Sequence, residues 1–181
     1  TGAQRRAAWE IYGDMCSGFR MNRLLQGGVG SGKTLVAAAA VYLAAKNGYQ
    51  SATMAPTELL ASQHYDTLRP LFASMGISCA LLTSSLPAGE KRDVKRRARQ
   101  GQVDLLIGTH ALIQKDVAFA RPGLFVVDEQ HRFGVRQRAS LSEKGDGAHL
   151  LVMSATPIPR TLTLIIYRDL GVSVLDELPP G

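Results

Sequence analysis

Cysteine is nearly absent from this 181-residue sequence, which contains only Cys16 and Cys79. Neither belongs to a Cys-x-x-Cys pair, so neither a disulfide framework nor a zinc site is expected. We expect both to be small buried side chains. The four histidines are equally scattered, with no second ligand at metal-binding spacing. The sequence therefore predicts no metal held by protein side chains alone.

Long apolar runs are also missing. No stretch approaches the roughly 20 apolar residues that a membrane span requires, and the N-terminus lacks the basic-then-apolar order of a signal peptide. We therefore expect no membrane partner and a cytoplasmic location. The length fits one domain. The net charge of +6 favours a polyanionic partner without establishing one.

What the sequence does contain is a regular alternation of short apolar runs with longer helical patterns. This order is typical of βαβ units around a parallel sheet. Several of the runs are apolar on both faces, so helices should cover both sides of the sheet. The sequence predicts an α/β fold with a largely parallel sheet and strands at 23–26, 50–55, 78–82, 104–108, 124–127, 150–153 and 173–175.

Three helices are predicted, at 34–46, 58–75 and 90–100. The third carries six basic residues, while only Val94 and Ala98 face inward. A charged outer face is most often a solvated surface, although DNA binding remains an alternative. The basic stripe consists of Arg92, Lys95, Arg96 and Arg99.

The strongest motif is residues 27–34, GGVGSGKT, which fits G-x-x-x-x-G-K-[ST] between a predicted strand and a predicted helix. Glycines let backbone N–H groups converge on phosphate oxygens, and the helix N-terminus favours negative charge. We expect Lys33 to contact the β- and γ-phosphates of ATP and the Thr34 hydroxyl to bind Mg²⁺. The predicted cofactor-binding residues of this loop are Gly27, Gly30, Ser31, Gly32, Lys33 and Thr34.

An acidic pair, Asp128 and Glu129, follows the strand predicted at 124–127. Ligands of open α/β sheets bind at the carboxyl ends of the strands. We therefore assign Asp128 to the Mg²⁺ shell and Glu129 as the catalytic base that activates water. The alternative is a pair that only caps the next helix.

The tetrad at 128–131, DEQH, resembles the DExH group of superfamily 2 helicases. The blocks 128–135 (DEQHRFGV), 153–161 (MSATPIPRT) and 176–181 (DELPPG) closely resemble RecG-type helicases, with Mfd-type translocases as the nearest rival. The resemblance implies a RecA-like P-loop NTPase fold. It also implies that Gln4 belongs to an adenine-sensing Q motif.

The same resemblance assigns motifs Ia and Ib, at 55–61 and 108–113, to contacts with the DNA backbone. The best candidates there are Thr57, Thr109 and His110, although each threonine is also a candidate helix N-cap. His131, Ser154 and Thr156 are implied to couple the nucleotide site to the DNA side. For the last two, ordinary capping is the alternative, and His131 could be a core or surface residue.

As a whole, the resemblance implies the first motor domain of an ATP-driven enzyme that remodels branched double-stranded DNA, such as stalled forks and Holliday junctions. The second RecA-like domain and the wedge domain that complete such an enzyme are expected to lie outside residues 1–181. Two other classes stay open: a P-loop phosphotransferase, and a non-catalytic nucleotide- or DNA-binding scaffold. Gly28 departs from the family, which usually carries an acidic residue at this position.

Overall fold

The computed structural model describes residues 1–128, 141, 143–145, 147–155 and 171–176. Its helices are α1 (Gly2–Met15), α2 (Lys33–Lys46), α3 (Glu58–Ala73) and α4 (Ala88–Arg99), with a short 3-10 helix at His110–Ile113. Its strands are β1 (Asn22–Gly27), β2 (Gln50–Met54), β3 (Cys79–Leu82), β4 (Leu105–Gly108), β5 (Pro122–Asp128), β6 (His149–Ser154) and β7 (Gly171–Leu175).

The strands form one seven-stranded sheet in the order β3-β4-β2-β5-β6-β1-β7. Every pairing in it is parallel. All seven strands therefore end at the same edge, which we call the carboxyl edge. Parallel sheets are covered on both faces, and this one follows the rule.

Successive strand residues alternate between two apolar layers. Leu124 and Val126 of β5 point into the layer that contains residues of α1, α2 and α3. Phe125 and Val127 point into the opposite layer, which includes residues of α4. The predicted α/β fold with helices on both faces is confirmed, and each of the seven predicted strands is present with small shifts at its ends.

Helix α1 was not predicted. Its inward residues, Ala3, Ala7 and Ile11, are spaced four apart and buried, but two of the three are alanines and give a weak apolar signal. The helix begins with a capping box in which the Thr1 hydroxyl accepts a hydrogen bond from the Gln4 N–H (3.1 Å).

The expectation of two buried cysteines is wrong for Cys16, which is exposed just after α1. Cys79, at the start of β3, is half-buried, and burial raises its pKa to about 11. The cause of the error is position: Cys16 is the C-cap of α1, beyond the last turn that packs on the sheet.

Helix α4 buries only Val94 and Ala98, as predicted. Its charges are partly paired at the surface: Asp93 accepts from Arg96 and from Arg97, and Lys95 donates to Asp116 at 2.5 Å. Across the described ranges, no helix is both long and apolar enough to cross a bilayer.

Candidate functional site

The predicted site residues lie along the carboxyl edge in the order of the strands that carry them. Thr109 follows β4 and Thr57 follows β2, while Asp128 ends β5. Ser154, which is buried, ends β6, and the glycine-rich loop follows β1. Segments predicted from distant parts of the sequence therefore share one edge.

The strand register places Asp128 close to the glycine-rich loop. Asp128 pairs with Met153 on β6, which pairs with Leu25 on β1. Neighbouring strands are about 4.8 Å apart, so Asp128 lies roughly 10 Å from Leu25 across the sheet. The glycine-rich loop begins two residues after Leu25, at the same carboxyl edge of the sheet as Asp128. This spacing leaves room for a phosphate and a metal ion between them.

The loop itself has the backbone of a phosphate cradle. Gly30 and Gly32 have φ of 81° and 88°, a left-handed conformation that glycine adopts at little cost. Gly32 is the N-cap of α2 and supplies no side-chain hydrogen bond, so the N–H groups of the first turn are not capped by it. Such N–H groups, together with the helix dipole, bind anions.

Lys33 is folded back over this cradle. Its Nζ donates to the carbonyl oxygens of Gly27 (2.6 Å) and Gly28 (3.2 Å). The ammonium group therefore lies within the loop, where a bound phosphate oxygen would compete with the two carbonyls for it. Thr34, the second residue of α2, is half-buried beside it.

Ser31 and Gly27 make the loop tight. A Cβ on Gly27 would lie 2.5 Å from Ser31 Oγ and 2.9 Å from the Leu175 Cβ. Ser31 is buried, and its Oγ has no hydrogen-bond partner among the described residues. A buried hydroxyl without a partner is costly, and here it lies in the loop that is predicted to bind phosphate. These residues fit a nucleotide phosphate group.

Gln4 reaches the loop from α1. Its Nε2 donates to the Ser31 carbonyl oxygen at 3.0 Å, and a Cβ on Gly32 would lie 1.9 Å from the same nitrogen. A side chain at Gly32 would displace the Gln4 amide, and the φ of 88° at this position already favours glycine. Gln4 therefore lies beside the phosphate loop, while its adenine contact stays a prediction.

Asp128 has a partner that sequence reasoning missed. His64 Nε2 lies 2.7 Å from Asp128 Oδ2, and the two side chains are 14% and 11% exposed. An ionised carboxylate only accepts hydrogen bonds, so the imidazole N–H is the donor. The signal was present in the helical spacing: Ala61, His64, Leu68 and Phe72 form the inward stripe of α3. A histidine in such a stripe needs a polar partner.

The two segments predicted to contact DNA lie side by side, because β2 and β4 pair with Met54 opposite Gly108. Thr57 is exposed and caps α3, accepting from the Leu60 N–H at 3.2 Å. Thr109 precedes the 3-10 helix and makes no side-chain cap bond, and His110 is exposed. The capping role is thus observed for Thr57, and DNA contact stays a prediction for all three.

Glu58 lies beside Thr57 and holds a neighbouring loop. Its Oε1 accepts from the Ser84 hydroxyl (2.5 Å) and the Ser85 N–H (3.1 Å). The hydrogen bond from Ser84, followed by that from Ser85, lowers the pKa of this carboxyl group. The loop after β3 is thereby tied to the start of α3 at the carboxyl edge.

Three predicted site residues lie outside the described residues: Glu129, His131 and Thr156. Their roles stay predictions.

Comparison with known proteins decides the family. The DEAD/DEAH box helicase family matches residues 1–165. The chain belongs to the DEAD/DEAH box helicase family. The matched region contains the phosphate loop, the acidic tetrad and both segments predicted to contact DNA.

Several curated relatives are helicases of one type. The chain is 54% identical over 181 residues to the ATP-dependent DNA helicase RecG of Streptococcus pneumoniae, and 53% identical to that of Bacillus subtilis. It covers 27% and 26% of these two proteins, about a quarter of the length of the curated relatives that it matches.

A solved structure of RecG bound to a three-way DNA junction is 49% identical, with a TM-score of 0.87 over all of this chain and 24% of that one. These matches confirm the RecG-type resemblance and the RecA-like fold expected from it.

Proposed function

We propose that this helicase domain is the first motor domain of an enzyme that couples ATP hydrolysis to the remodelling of branched double-stranded DNA. The observation that carries the proposal is the shared carboxyl edge, on which the phosphate loop and Asp128 lie next to Thr57 and Thr109. A nucleotide at one half of this edge and a DNA backbone at the other half would be joined by a single rigid sheet.

In the proposed site, Thr34 and Asp128 would hold a Mg²⁺ ion, which would supply positive charge when the terminal phosphoryl group of ATP is transferred to water. Thr34 offers its hydroxyl, and Asp128 its carboxylate, to the metal shell. Lys33 gives up its two carbonyl partners for phosphate oxygens. Glu129 takes the proton from the attacking water, and Gln4 reads the adenine edge.

On the DNA half, Thr57 and Thr109 offer hydroxyl groups, and the N–H groups of the segments after β2 and β4 lie beside them. Helix N-termini and hydroxyls are common partners of phosphate oxygens, and such contacts position a protein without reading sequence. His110, being exposed, adds a side chain to the same surface. His131, Ser154 and Thr156 are proposed to couple the two halves.

The partners proposed for the whole protein follow from its relatives. Because the chain spans about a quarter of the RecG proteins that it matches, we propose that a second RecA-like domain and a wedge domain complete the enzyme. The relative solved with a three-way junction supports branched DNA as the substrate class. We propose the cytoplasm as the compartment, since the substrate is DNA.

The test is ATP turnover by the full-length protein with no DNA, with linear duplex and with a three-way junction. We expect junction DNA to stimulate turnover the most. Glu129→Gln should lower the stimulated rate by about 10²–10⁴-fold, since it removes the proposed base. Lys33→Ala is the control that should abolish turnover through loss of the phosphate contact.

Two outcomes would contradict the proposal. Turnover that is indifferent to DNA would favour a phosphotransferase that acts on a small molecule. An unchanged rate in Glu129→Gln would remove that residue from the mechanism.

A further inference from the structure

His64 is a polar residue in an apolar position. It lies on the inward stripe of α3, between Ala61 and Leu68, both of which are buried. A side chain at this position in an amphipathic helix is ordinarily apolar, and a buried imidazole without a hydrogen bond would be costly. The fold satisfies it with one acceptor in particular, the Asp128 carboxylate at 2.7 Å.

Asp128 is also the residue proposed to hold the Mg²⁺ shell, and this inference rests on that proposed function. A carboxylate that helps to hold a metal shell must present a defined oxygen in a defined direction. The His64 N–H engages Oδ2 and so restricts the rotation of the carboxylate, and Oδ1 would then be the oxygen offered to a metal ion or its waters. Partners of this kind commonly change metal affinity by 10–100-fold.

His64 also connects Asp128 to a different part of the molecule. It lies in the second turn of the helix that Thr57 caps, seven residues away, which is roughly 10 Å along the helix axis. Residues between them are helical throughout. Asp128 is therefore held by β5 on one side and, through His64, by the helix whose first turn is proposed to contact DNA.

We propose that His64 is a positioning residue for Asp128, which sets the affinity of the nucleotide site for Mg²⁺ and links that site to helix α3. The imidazole itself does not touch nucleotide or DNA in this account. It acts through the carboxylate that it orients.

The test compares two amides of similar polarity but different reach in the full-length protein. In His64→Gln, the amide nitrogen can occupy the place of Nε2 and still donate to Asp128. In His64→Asn, the shorter side chain places its nitrogen near the position of Nδ1 and cannot reach. Thr67→Ala, at an exposed position of the same helix, is the matched control.

Binding of a fluorescent ATP analogue is measured over a Mg²⁺ titration and again in EDTA, without DNA and without turnover. We expect His64→Asn to weaken Mg²⁺ affinity by about tenfold or more. His64→Gln and Thr67→Ala should remain near the wild-type affinity. Nucleotide binding in EDTA should be unchanged in all three, because a positioning role acts only through the metal.

Wild-type Mg²⁺ affinity in His64→Asn would overturn the inference. So would an equal loss in Mg²⁺ and in EDTA, or equal defects in the Gln and Asn variants, since either result indicates that the imidazole only packs. Normal Mg²⁺-dependent binding combined with no DNA-stimulated hydrolysis would count against the proposed function alone. A wild-type protein that binds no nucleotide would contradict both.

Discussion

Gly27 and Gly28 are neighbours in the phosphate loop, yet their surroundings differ. A Cβ on Gly27 would meet Ser31 Oγ at 2.5 Å and the Leu175 Cβ at 2.9 Å, whereas a Cβ on Gly28 would meet nothing within 4 Å. Gly28 therefore has room for a side chain, and the resemblance described above implies an acidic residue at this position. The motif G-x-x-x-x-G-K-[ST] agrees with this difference, because it requires glycine at position 27 and accepts any residue at position 28.

This difference gives a matched pair of variants. Gly27→Ala should lower the free energy of unfolding by about 1–3 kcal/mol through overpacking. It should also weaken ATP binding, because Ser31 must move. Gly28→Ala should change the free energy of unfolding by less than about 0.5 kcal/mol, as expected for an open surface position.

Urea unfolding and ATP titration of both variants check the prediction. Equal effects at the two positions would show that the loop adapts to added volume.

The position of Asp128 could be predicted from the sequence, but its hydrogen-bond partner could not. Its place at the end of β5 was predictable, because an apolar run followed by an acidic pair has a strong pattern. Its partner was not, because His64 lies 64 residues away and the pairing depends on how α3 docks on the sheet. Only the helical spacing around His64 hinted that the side chain points inward.

Elements were predictable where their composition was distinctive. Several of the strands are apolar on both faces, which gives a signal independent of their partners, and all seven were located. Helix α2 was also located, since its alanines and leucines lie between a glycine-rich loop and Asn47-Gly48. Helix α1 was not predicted from the sequence, because alanine contributes little to an apolar stripe even when it is buried.

Gln50, the first residue of β2, joins three elements through one side chain. Its Nε2 donates to the Ala98 carbonyl of α4 and to the Val103 carbonyl before β4, both at 2.9 Å. Its Oε1 accepts from the Arg121 N–H just before β5, also at 2.9 Å. The side chain is buried, so no solvent replaces these bonds if it is removed.

Gln50→Leu should therefore lower the free energy of unfolding by about 3 kcal/mol or more, because two carbonyls and one N–H lose a buried partner. Gln102→Ala, an exposed glutamine in the adjoining turn, is the control and should have little effect. Urea unfolding of the 181-residue chain measures both. A Gln50→Leu loss no larger than that of the control would mean that water enters and satisfies the three groups.

At the scale of the whole molecule, the parallel sheet converts a linear order of motifs into a spatial one. The sequence predicted which segments end strands, but the strand order, with β5 and β6 lying between β2 and β1, depends on long-range pairing that periodicity does not encode. That order makes the half of the carboxyl edge proposed to bind nucleotide adjacent, at Asp128, to the half proposed to bind DNA. Composition and periodicity alone do not encode this adjacency.

The magnesium-nucleotide site that we propose lies between the phosphate loop and Asp128. Its most direct test is a crystal structure of the full-length protein with Mg²⁺ and a non-hydrolysable ATP analogue. We predict that Lys33 Nζ leaves the Gly27 carbonyl, now 2.6 Å away, for a phosphate oxygen, and that Asp128 joins the metal shell. Nucleotide bound away from residues 27–34, or a metal ion remote from Asp128, would contradict the account.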